Sequence, residues 1–105
     1  MRRKLKFTPT AETQLAALEN APASAALLAQ VRKALGYLEI DLSHPGVHSH
    51  EFTSLTGAHG EKMFEAHAQN KTPGAYRIFW HYGQDEIQGK KRVPVITIIA
   101  ITRHP

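Results

Sequence analysis

Val93-Pro94-Val95-Ile96-Thr97-Ile98-Ile99-Ala100-Ile101-Thr102 is the stretch whose reading decides the fold. It is rich in β-branched apolar residues, the composition of a strand buried inside a sheet. Broken by Pro94 and Thr97, it falls far short of the about 20 apolar residues that cross a bilayer, so a membrane span is not expected. Upstream, residues 75–82 and 62–69 read as two more strands, and the alternation Lys4-Leu5-Lys6-Phe7-Thr8 as a short half-buried one.

Two amphipathic helices fill the gap after the first strand. Thr8 is placed to cap the first, Pro9 suits its opening position, and Glu12 lies where the helix dipole favours an anion. Ala11, Leu15 and Leu18 share one face, and the segment ends near Asn20. Pro22 opens the second helix, in which Leu27, Val31, Leu35 and Leu38 form one stripe with Leu28 beside it. Residues 41–56, with Ser43, Pro45, Gly46 and Ser49, read as a long polar connection, and residues 83–92 as a polar loop ending Lys90-Lys91-Arg92. The expectation is a single α+β domain over residues 1–105, of order β-α-α-β-β-β, with a two-helix hairpin packed on one face of a four-stranded sheet. The other face is left for function.

The chain has 105 residues, with 13 Lys+Arg against 9 Asp+Glu for a net charge of +4. That length supports one core and no second domain. Without cysteine there is no disulfide framework, no thiolate metal site and no thiol nucleophile, so chemistry must come from His, carboxylates, Lys, Arg or hydroxyls. The basic opening Arg2-Arg3-Lys4 lacks the apolar stretch of a signal peptide behind it, and the chain is read as cytoplasmic. The excess of cations suits a polyanionic partner.

Side chains alternate across a strand, so Tyr76, Ile78, Trp80 and Tyr82 form a core face while Arg77, Phe79 and His81 occupy the other. A cation, an aromatic and a histidine on one face suit a phosphate and a stacked base. Met63, Glu65 and His67 share a side of the preceding strand, which lets Glu65 neutralise Arg77. Arg103-His104-Pro105 follows the last strand directly. His44, His48 and His50 lie around Pro45 and Gly46 with no fixed spacing, so they are read as part of a polar loop; no metal or other cofactor is expected.

The strand order, Leu55-Thr56-Gly57 ahead of the sheet, Ala75-Tyr76-Arg77-Ile78-Phe79-Trp80 and the closing Ile98-Ile99-Ala100-Ile101-Thr102-Arg103-His104 together resemble the RelE/ParE toxin superfamily. The similarity spans nearly the whole chain. It implies the toxin of a toxin–antitoxin pair: in many relatives an mRNA endonuclease acting on the ribosome, in the ParE branch an inhibitor of DNA gyrase. A catalytically silent binding module on the same scaffold is the third reading.

Carried over by the resemblance, Arg77 and His104 match the family's aromatic-Arg-aliphatic segment and its terminal His or Tyr. His67 stands where an Arg is frequent, and Glu51 lies near the position of a general base. RNA cleavage without a metal needs a base for the 2′-hydroxyl, a cation for the phosphorane and an acid for the departing 5′ oxygen. Glu51 or His67, Arg77 and His104 fit these roles in that order. Contacts to RNA are expected from Arg2, Arg3 and Lys4, from Lys62, Phe79 and His81, and from Lys90, Lys91, Arg92 and Arg103. The implied partners are a cognate antitoxin protein, mRNA and the ribosome.

Overall fold

The computed structural model describes residues 2–70 and 74–103. In chain order the elements are β1 (Lys4–Phe7), α1 (Pro9–Glu19), α2 (Ala25–Ile40), β2 (His50–Thr56), β3 (Lys62–His67), β4 (Tyr76–Tyr82), β5 (Glu86–Gln88), β6 (Lys91–Val93) and β7 (Val95–Arg103). Thr8 caps α1 as its sequence suggests, its hydroxyl accepting from Ala11 N at 3.1 Å, and Ala11 and Leu18 are buried. Pro22 begins a single 3₁₀ turn, and the α-helix proper starts three residues later than its sequence implies.

The class is α+β, but the sheet is larger than expected. Five strands run in the order β1-β7-β4-β3-β2, with a separate β5-β6 hairpin. β1 lies parallel to β7, and the other pairs are antiparallel. The fifth strand, β2, comes from the connection read as irregular. Every residue of β2 but Phe52 is exposed, and its ladder to β3 is irregular between Glu51 and Thr56. An edge strand of this kind lacks the apolar alternation that marks a half-buried one, so its composition resembles a loop.

A second correction concerns residues 83–92. Gln88 pairs with Lys91, and the connecting Gly89 has φ 63°, the positive value that primed hairpin turns demand. Glu86 on this hairpin holds both Lys4 (3.0 Å) and Lys6 of β1.

Both helices cover one face of the sheet. Val31, Leu35 and Leu38 meet Ile78, Trp80, Ile96, Ile98 and Ile101 in a continuous core. β7 alternates correctly on either side of a single extra residue. Trp80 pairs with Ile98 and Phe79 with Ala100, which leaves Ile99 as a bulge. Thr8 binds this bulge, its hydroxyl donating to Ile99 O at 2.9 Å and its amide to Ile98 O at 3.0 Å. No described helix is long and apolar enough to cross a membrane.

Candidate functional site

On the face away from the helices, cross-strand pairing sets His50 opposite Glu65, Glu65 opposite Phe79, and His67 opposite Arg77. Thr102 of β7 lies beyond Arg77. Three strands therefore deliver two imidazoles, a carboxylate and a guanidinium to one place. Glu65 sits at their centre and is only 2% exposed. One of its oxygens, Oε1, lies 3.2 Å from His50 Nε2, 3.7 Å from Arg77 Nε and 3.8 Å from His67 Nε2. A carboxylate so far from water requires compensating partners, and these supply them.

The two imidazoles are oriented alike. His50 Nδ1 donates to the His48 carbonyl at 2.8 Å, and His67 Nδ1 to Asn70 Oδ1 at 2.6 Å. With the Nδ1 protons committed to oxygen acceptors, both Nε2 atoms point at Glu65. Each then either carries a second proton toward the carboxylate or offers a lone pair to a cation. Burial is the main cause holding the His67 pKa below its ordinary value, with the nearby Arg77 and His48 adding to the effect; Asn70 and Glu65 oppose it. The neutral form of His67 is thereby favoured.

Arg77 is fixed by backbone. Its Nη1 donates to Gln69 O at 2.7 Å and Tyr76 O at 3.2 Å, and its side chain is 13% exposed. Among the described residues its Nε is buried without a hydrogen-bond acceptor, the Glu65 contact being an ion pair beyond hydrogen-bond length.

The remaining expected residues are distributed unevenly. Glu51 pairs with Phe64, which puts it on the opposite face from Glu65. Phe79 is 3% exposed and meets Phe52 edge-on at 5.2 Å, so it floors the site and offers no free ring for a base. The face is not fully open, because β2 lays Phe52 across it. His81, two pairs along β4 from Arg77, faces Glu61 Oε2 at 3.8 Å. Lys62 is exposed on β3. Arg103 lies over the Tyr76 ring at 5.6 Å, and its pairing with Tyr76 puts it on the helix side.

Arg2, Arg3 and Lys4 line a shared cleft with Gln88 and Val93 of the hairpin that carries Lys90, Lys91 and Arg92. The two basic segments are thus neighbours at the β1 edge, across the sheet from Glu65, and partly neutralised by Glu39, Glu86 and Asp85. His104 lies outside the described residues.

Sequence reasoning missed His50 as a member of this cluster. Its role depends on a cross-strand register that a polar edge strand does not advertise, whereas Glu65 and His67 were already legible as a same-face pair. His44 does something else: its ring stacks on Tyr37 at 3.7 Å, and its Nδ1 accepts from Gly46 N at 2.9 Å, closing a 3₁₀ turn. Compared with protein-family models, with curated proteins and with solved structures, the chain matches none.

Proposed function

We propose that the chain is the toxin of a toxin–antitoxin pair, an endoribonuclease that cuts mRNA on the ribosome and is held silent by a cognate antitoxin. The observation that supports this best is the convergence of His50, His67 and Arg77 on the buried Glu65. Neutral His67 offers its Nε2 lone pair to a ribose 2′-hydroxyl. As the 2′ oxygen attacks phosphorus, Arg77 meets the charge that gathers on the phosphoryl oxygens. A proton on His50 Nε2 then passes to the departing 5′ oxygen, leaving a 2′,3′-cyclic phosphate and a 5′-hydroxyl. Glu65 is a positioning residue, since it orients both imidazoles and keeps Arg77 near them. His104 is proposed as a further proton donor. The basic β1 edge would follow the phosphate backbone beyond the cut.

The reading as a catalytically silent binding module on the same scaffold is favoured by the Arg77 tether to Gln69 O and Tyr76 O, which occupies a nitrogen that phosphate would use. The test is to express the chain, map mRNA 5′ ends and assay gyrase supercoiling in parallel. New 5′ ends on ribosome-bound mRNA with supercoiling intact support the ribonuclease. Growth arrest with supercoiling lost and no new ends supports gyrase inhibition, and arrest with neither supports the binding module.

A further inference from the structure

We propose that His50, Glu65 and His67 form a binding site for one divalent transition-metal ion, with zinc the best match. Among the described residues this is one group of His and carboxylate side chains able to hold an ion, and its donor atoms lie within 4.8 Å of one another. A tetrahedral zinc with bonds of about 2.0–2.1 Å keeps its ligand atoms about 3.3–3.4 Å apart. The His50 and His67 nitrogens stand 3.2 and 3.8 Å from Glu65 Oε1, close to that spacing. Two imidazole nitrogens and one carboxylate are a donor set that suits zinc and leaves its fourth position open.

The surroundings resemble those that prepare histidines for a metal. Metal-binding imidazoles usually give their second N–H to a carbonyl or carboxylate, which fixes the tautomer and aims the lone pair. Here the His48 carbonyl does this for His50 and Asn70 Oδ1 does it for His67. The strands add rigidity, since His50, Glu65 and His67 are set by ladder pairing on β2 and β3. Arg77 is the opposing charge, its Nε 3.7 Å from Oε1, while its Nη1 is committed to two backbone carbonyls. The sequence pattern does not disclose this site, because its three members do not fall in a short motif and the histidine run 44-48-50 contributes one of its three residues.

An ion at this place takes the same nitrogen lone pairs that proton transfer would use, so it silences the cluster. That consequence rests on the ribonuclease reading, whereas the site itself does not. The test uses the full chain stripped with a chelator and titrated with CoCl₂, followed by visible d–d absorption, and with ZnCl₂, followed by calorimetry. One ion per chain is expected. His50→Gln and His67→Gln should each weaken binding by about tenfold or more, and Asn70→Ala, which keeps all three ligands, by roughly tenfold. His59→Gln should change it less than about twofold, and circular dichroism checks that every variant is folded.

Absence of saturation at one equivalent, or equal losses in His59→Gln and His67→Gln, would overturn the site. If the stripped chain cleaves RNA and zinc at one equivalent leaves the rate unchanged, the silencing is refuted while the site stands. A chain that binds zinc as expected and never cleaves RNA refutes the ribonuclease reading and again leaves the site standing.

Discussion

Arg77 Nε lies 3.7 Å from Glu65 Oε1, so the guanidinium of the site is also a counter-charge of a carboxylate only 2% exposed. Arg77 therefore bears on the fold as well as on the site, because truncating one member of a buried ion pair leaves the other unpaired.

Arg77→Met should therefore destabilise the domain by about 3 kcal/mol, and adding Glu65→Gln should restore a large part of that loss. Urea denaturation of the two single variants and the double variant checks it. Additive losses in the double variant would mean that the pair contributes no coupling.

On the proposed ribonuclease reading, His67→Gln should lower the rate of mRNA cleavage by about 100-fold or more while leaving the melting temperature close to that of the parent. Glutamine retains hydrogen-bonding capacity but no basic nitrogen. The readout is a cleavage time course on ribosome-bound message, with the thermal melt as control.

Two hydrogen bonds by one hydroxyl make Thr8 a joint between α1 and β7: it accepts from Ala11 N and donates to Ile99 O. Thr8→Ala should cost about 1–2 kcal/mol, and Thr8→Ser, which keeps the hydroxyl, much less. Chemical denaturation of both variants separates the hydroxyl's contribution from that of the methyl group.

Hydrogen bonds from Lys6 and Lys4 lower the Glu86 pKa from 4.5 to about 2. A carboxylate whose pKa falls on folding favours the native state above its unfolded value and loses that contribution as pH drops through the folded one. Anchoring of the β5-β6 hairpin to β1 should weaken between about pH 4.5 and 2 in the parent. In Glu86→Gln this pH dependence should be absent, as followed by hydrogen exchange of the hairpin amides across that range.

How far the sequence discloses the fold depends on burial. β4 and β7 are central strands that bury an apolar row against the helices, and the helices are legible because each buries one stripe; all four are visible from residue types. β2 and the β5-β6 hairpin bury little, so nothing in their composition separates them from turns. The site divides along the same line. Arg77, Glu65 and His67 follow from alternation along legible strands, while His50 enters only through its pairing with Glu65. Glu51 shows the cost of judging by position alone, since a one-residue step along β2 exchanges one face of the sheet for the other.

The parallel pairing of β1 with β7 sets an order of events during synthesis. Thr8 and Ile99, joined by a hydrogen bond, are 91 residues apart in the chain. The antiparallel neighbours β2, β3 and β4 can associate as each emerges from the ribosome, because the loops they close are short. β1 has nothing to pair with until β7 has been made, and neither does the bulge at Ile99 have its Thr8 anchor. Arg77 likewise gains its β7 neighbour, Thr102, only then. On the ribosome this segment therefore holds two helices and an unfinished sheet until β7 emerges, and the face bearing Glu65 acquires its final rigidity only then.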